Sequence, residues 1–182
     1  INGDEFGKSR DMQNIRCKIS IKKTDVVFII VANLLKYKGY FDLLDAFSIL
    51  DCKKEFDWRL LCVGRDDGLG SELKGYANKL NIHEKIIWTG SVHDVKPFLY
   101  ASNIGINCSH EEGFSNSILE CMAASLPMIV TDAGGNKEAV IDGLNGFVVK
   151  AKNASELSTA LFKLAIDPVL CRQMGQEGRR LA

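Results

Sequence analysis

Short runs of β-branched and other apolar residues alternate along this chain with longer stretches in which apolar positions recur three and four apart. The short runs predict strands at residues 26–32, 58–63, 85–89, 104–108, 128–131 and 146–149. The stretches between and after them predict helices at 40–51, 71–80, 95–101, 116–125, from about 137, at 155–166 and at 168–181. Each strand is a nearly continuous apolar run, the pattern of a parallel sheet covered by helices on both faces. The expected fold is α/β, a Rossmann-like doubly wound parallel sheet. Helix punctuation agrees. Asp167-Pro168 puts proline at a first helical position, Asn153 or Ser155 can cap the helix before it, and Asp142-Gly143 and Asn145-Gly146 mark turns before the last strand.

A length of 182 residues suits one domain, residues 1–182. Lys plus Arg and Asp plus Glu are equal at 23 each, so the overall charge gives no reason to expect a nucleic-acid partner, and any anion site must be local. Six cysteines show no C-x-x-C spacing, and His83, His93 and His110 complete no zinc pattern. They are expected to be reduced thiols of a cytoplasmic protein, with Cys62, Cys108 and Cys121 in apolar segments that suit burial, and no metal is expected. The longest apolar run, residues 26–35, is about half what a bilayer span requires and contains Asn33. A polar stretch precedes the first strand and an arginine-bearing helical pattern ends the chain, edges expected of a piece of something longer.

In an open parallel sheet, ligands bind beyond the carboxyl ends of the strands. The loops there carry the polar chemistry: Asn33 to Gly39 with Lys38, Gly64 to Gly68 with Arg65, Gly90 to Asp94, Ser109 to Asn116, and Asp132 to Glu138. Two of them pair glycine with a following helix, which would turn free amides and a positive helix end toward the crevice and so suit a phosphate. Gly113 and Gly134-Gly135 would let the backbone approach a ligand, and Lys38 could add a charge. Simpler readings stand beside these: a turn for Gly134-Gly135, a surface charge for Lys38, a helix cap for Ser115 or Asn116, a first-turn acid for Glu138. No G-x-G-x-x-G or G-x-x-x-x-G-K-[ST] motif is present, so the nicotinamide and P-loop readings lose their main support.

Glu120 is harder to explain as surface. It is the only charge in SILECMAASL, a segment apolar enough to be packed on most faces. A carboxylate drawn out of water needs hydrogen-bond donors, which either a salt bridge inside the protein or a polyol ligand would supply. Seven residues separate it from Glu112.

From Glu112 to Glu138 the chain resembles the E-x7-E motif, the small-residue helix and the T-D-x-G-G-x-x-E loop of the donor-binding, C-terminal domain of GT-B glycosyltransferases of retaining family 4. The resemblance runs nearly end to end, and Asn2-Gly3-Asp4 with Phe6 resembles the segment after the interdomain linker. It implies a nucleoside diphosphate sugar as donor substrate, no cofactor, no metal, and transfer with retention. It implies catalytic roles for Glu112 and Lys38, with donor sugar contacts from Glu112, Gly113, Phe114, Ser115 and Asn116 and ribose contacts from Glu120. The base would lie against Ser91, Val92 and Val95, and the pyrophosphate against Lys38 and Gly39. The family's arginine has no counterpart: Asn33 stands there, leaving charge neutralisation to Arg65 or to backbone amides.

The resemblance further implies an N-terminal acceptor domain as partner, absent from this chain, without which the domain binds donor but transfers little. It implies cytoplasmic polysaccharide or glycolipid synthesis with peripheral membrane association through that other half. Two alternatives remain: a different GT-B enzyme, such as an epimerase or phosphorylase, and a non-catalytic nucleotide-binding or assembly domain, with Asn33 as the feature that keeps the latter open.

Overall fold

The computed structural model describes residues 11–182. Six strands form one parallel sheet in the order β3-β2-β1-β4-β5-β6: β1 (Val26–Val31), β2 (Trp58–Val63), β3 (Ile86–Gly90), β4 (Ile104–Asn107), β5 (Met128–Thr131) and β6 (Gly146–Val149). The order reverses between β1 and β4, so the loops after these two neighbouring strands diverge and open a crevice, as the doubly wound architecture requires. The helices are α1 (Asp11–Lys18), α2 (Tyr40–Asp51), α3 (Gly70–Lys79), α4 (Lys96–Ala101), α5 (Asn116–Ala123), α6 (Asn136–Ala139), α7 (Ala154–Ile166) and α8 (Pro168–Leu181).

Strand periodicity divides the core into two layers. Phe28 and Ile30 of β1 join Leu60 and Cys62 of β2 beneath α2, α3 and α7, where Phe47 packs edge-on against Phe28 with ring centres 5.1 Å apart. Val27, Ile29, Leu61 and Val63 point the other way, into a layer with Leu99, Ile118 and Met122 from α4 and α5. Both faces of the sheet are therefore apolar, which explains why the strands read as continuous runs.

Of the two cap candidates for α7 the structure uses Asn153, and Pro168 takes the first position of α8 as expected, with Asp167 capping it. Asn153 accepts from the Glu156 amide at 3.0 Å, and Asp167 accepts from Val169 and Leu170 at the start of α8. Helix α5 stops at Ala123, two residues short of expectation. Ser125 adopts a left-handed φ of 62° while the Leu126 amide turns back to the Cys121 carbonyl at 3.0 Å, a local closure that ends the helix before Pro127.

Helix α1 was not expected, because its segment lacks a strong apolar stripe. It docks through Arg16, whose guanidinium donates to the Ala101 carbonyl at 2.8 Å and to Asn103 Oδ1 at 3.0 Å, both distant in sequence. The segment around Asn2 to Phe6 lies outside the described residues. Cys62, Cys108 and Cys121 are buried and free, and no helix among the described residues is long and apolar enough to cross a membrane.

Candidate functional site

Two features occupy the carboxyl end of the sheet: an ion pair between the loops after β1 and β4, and a cavity beyond β1, β2 and β3.

Lys38 lies in a short 3-10 turn, Lys36–Lys38, that ends in Gly39. Gly39 has φ 71°, and a Cβ there would stand 2.0 Å from the Cys108 carbonyl oxygen, so only glycine lets this turn rest on the end of β4. That approach brings Lys38 Nζ within 2.7 Å of Glu112 Oε2, with side chains 15% and 12% exposed. Ser109 Oγ donates to the same carboxylate oxygen at 2.8 Å. Ser109 is itself held, its carbonyl accepting from Thr131 Oγ1 at 2.5 Å and its amide donating to Asn107 Oδ1 at 3.3 Å. Burial pushes the Glu112 carboxyl up, but hydrogen bonds from Lys38 and Ser109, the Lys38 charge and a contact with Asn107 together hold it below the ordinary glutamate value.

The loop that carries Glu112 is braced from the β5 side. The Gly135 amide donates to the Gly113 carbonyl at 2.8 Å, and Gly134, with φ 51°, leaves no room for a side chain against the Glu112 carbonyl. The close approach that Gly134 and Gly135 permit here is to the Glu112–Gly113 backbone. Beyond them Phe114 is half exposed, Ser115 Oγ lies 2.9 Å from Ser117 Oγ without capping the helix, and Asn116 begins α5. The first-turn amides of a helix have no intrahelical acceptors, so this end of α5 offers donors beside Glu112.

The cavity measures about 360 Å³ and is lined by Asn33, Arg65, Ser91, Val92, His93, Val95 and Glu120, with Gly64 and the strand ends as its floor. It gathers the residues expected to meet base and ribose, and its lining comes from four separate segments. Glu120 is half buried. Burial alone pushes its carboxyl above the ordinary value, and no described residue bonds to it. The internal salt bridge that would have explained it is absent among the described residues. Asn116 and Glu120 are four apart on α5, hence one turn apart on one helix face, and link the helix start to the cavity.

Asn33, which stands in the arginine position, has a structural task. Its Oδ1 accepts from the Arg65 amide at 3.1 Å while the Leu34 amide donates to the Arg65 carbonyl at 2.9 Å, lacing together the loops after β1 and β2. The Arg65 side chain is exposed and bound to Asp67 at 2.6 Å. Sequence reasoning named the loops or motif that hold Ser109, Thr131 and the cavity-lining His93 without giving these residues roles, and it did not name Asn107. The demand of Glu112 for donors was the signal that could have pointed to Ser109.

A doubly wound sheet with a polar crevice at its switch point is an architecture in which ligands bind beyond the carboxyl ends of the strands. The chain belongs to the family of glycosyl transferases group 1, whose model matches residues 11–181. Among curated relatives it is 29% identical to the putative glycosyltransferase EpsD of Bacillus subtilis, over 94% of this chain and 45% of that protein. The C-terminal domain of a glycosyl transferase group 1 family protein, LpcC, from Francisella tularensis has the same fold, with TM-score 0.84 and 24% identity over 100% of this chain and 95% of that one. HepE of Anabaena, solved in complex with UDP-glucose, matches with TM-score 0.91 and 20% identity over 100% of this chain and 50% of its own. The chain thus spans about half the length of HepE and somewhat less of EpsD.

Proposed function

We propose that this chain is the donor-binding half of a retaining glycosyltransferase of family 4, acting on a nucleoside diphosphate sugar. The observation that carries the reading is Glu120, a half-buried carboxylate with no partner among the described residues, at the wall of a nucleoside-sized cavity. Ribose hydroxyls would supply the donors it lacks. With the ribose there, Ser91, Val92 and Val95 receive the base, and the diphosphate extends along α5 toward its N-terminal amides and Lys38. Glu112, Phe114, Ser115 and Asn116 then face the sugar.

Lys38 and the α5 amides stabilise the charge that grows on the leaving diphosphate as the anomeric bond breaks, a preorganised electrostatic role. Lys38 is shared in this scheme between Glu112 and the diphosphate, so donor binding brings the sugar to the carboxylate that orients it. The hexosyl group passes to an acceptor held by an N-terminal domain, which supplies the other wall of the site and any peripheral contact with a cytoplasmic membrane face. The length of the relatives supports a second domain of similar size. In polysaccharide or glycolipid synthesis the isolated chain would bind donor and transfer little.

Calorimetric titration with UDP, GDP, ADP and their sugar conjugates tests the reading. Micromolar binding of one nucleotide family, weakened in Glu120→Ala, is expected; donor affinity unchanged by that substitution would sink the assignment of the cavity. One observation favours a second reading, a non-catalytic nucleotide-binding domain: Asn33 and Arg65 are both engaged within the protein and add no free cation for the diphosphate. Product analysis with the full-length polypeptide separates the two.

A further inference from the structure

Next to the Lys38–Glu112 ion pair lies a pairing that donor binding leaves unused. His110 Nε2 is hydrogen-bonded to Asp42 Oδ2, joining the loop after β4 to the first turn of α2, with side chains 24% and 25% exposed. The His110 amide also donates to the Tyr37 carbonyl at 2.7 Å. His110 therefore holds the β1–α2 connection on both sides of Lys38, at Tyr37 through its main chain and at Asp42 through its ring. Cys108 adds a weaker tie, its thiol donating to the Lys38 carbonyl at 3.2 Å. Glu112 follows His110 by two residues, so the brace that fixes one loop on the other acts within a few atoms of the ion pair.

We propose that His110, held by Asp42, is a positioning residue for the Lys38–Glu112 ion pair, fixing the two loops at the separation where ammonium and carboxylate meet. A lysine side chain has many rotamers, and backbone placement of its loop decides which of them reaches the carboxylate. The apolar layers below are packed without either partner. The consequence of the brace for transfer rests on the donor-site reading; the positioning of the ion pair does not.

The test compares His110→Ala, Asp42→Ala and His110→Gln, the last of which keeps a donor for Asp42. The titration of Glu112, followed by carbon-13 NMR of its carboxyl group, needs neither ligand nor turnover. Its midpoint is expected to rise toward the ordinary glutamate value in both alanine variants and to return toward wild type in His110→Gln. An unmoved midpoint in the alanine variants overturns the proposal, as does loss of the fold in all three, which would make the pair structural. In full-length protein, kcat is expected to fall about 10- to 100-fold in the alanine variants with KM changed only a few-fold, the signature of misplaced groups. Wild-type kcat in those variants would overturn the catalytic consequence. A wild-type protein that binds and transfers no nucleotide sugar would refute the donor reading, while the carboxyl titration still decides the positioning.

Discussion

Glu112 and Glu120 come from one motif and end in opposite surroundings. Lys38, Ser109 and Asn107 gather at the first and hold its carboxyl below the ordinary value; burial alone acts on the second and pushes it above. The difference separates two kinds of site. Around Glu112 the protein has completed its own electrostatics before any ligand arrives, at the expense of committing Lys38. Around Glu120 the electrostatics are left open. A carboxylate whose donors are in place has its desolvation penalty offset, whereas one drawn out of water without them costs free energy until donors arrive.

The comparison can be broken most forcefully at Lys38. On the proposed reading, Lys38→Ala is expected to lower kcat of the full-length protein by about 100-fold or more, as loss of a preorganised charge does elsewhere, and to raise the Glu112 titration midpoint. Steady-state kinetics with the cognate donor check the first effect and carboxyl NMR the second; a rate within a few-fold of wild type would remove Lys38 from the machinery. Substitution at Glu120 comes next. Glu120→Ala is expected to weaken nucleotide binding by about 1–3 kcal/mol in calorimetry, yet leave the melting temperature without ligand equal to or above that of wild type.

Acid titration of stability sharpens the contrast further. The raised pKa of Glu120 means that the folded state takes up its proton first, so this group adds stability as pH falls from neutral through its folded pKa toward its unfolded value. Glu112 has a lowered pKa, so its stabilisation is present above the unfolded value and is lost as pH falls through the folded one. Glu120→Gln should therefore lose stability more steeply than wild type between neutral pH and the ordinary carboxylate range. Glu112→Gln should lose it less steeply below that range. Melting curves across the interval measure both, and parallel curves for all three proteins would contradict the assigned environments. The smallest effect belongs to Ser109→Ala, which should cost about 1 kcal/mol in chemical denaturation and shift the Glu112 midpoint upward by less than Lys38→Ala does.

The architecture was legible wherever a residue's neighbours in sequence decided its fate. Val26 to Val31 announces a buried strand by composition, and Asn153 and Asp167 announce helix starts through side chains that reach their own first turns. Glu120 stood out because a charge in so apolar a helix conflicts with its surroundings, and it lines the cavity. What stayed hidden depends on residues far apart in the chain. Lys38 and Glu112 are 74 positions apart and meet only because β1 and β4 are neighbours. Arg16 holds α1 by reaching carbonyl and amide oxygens 85 and 87 positions away, which no local periodicity encodes. Asn33 looked like a missing cation and is a backbone tie to Arg65, because an amide oxygen can accept from a neighbouring loop where a guanidinium cannot.

The reversal of strand order between β1 and β4 also makes the sheet a seam between the first and second halves of the polypeptide. The loops after β1, β2 and β3 belong to one half, and α5 with Glu120 belongs to the other. A molecule lodged in the cavity touches both, and so works as a cross-brace over the joint. Its occupancy should slow hydrogen exchange in β1 and β4 together, at amides that never touch it, and make the two halves open as one unit.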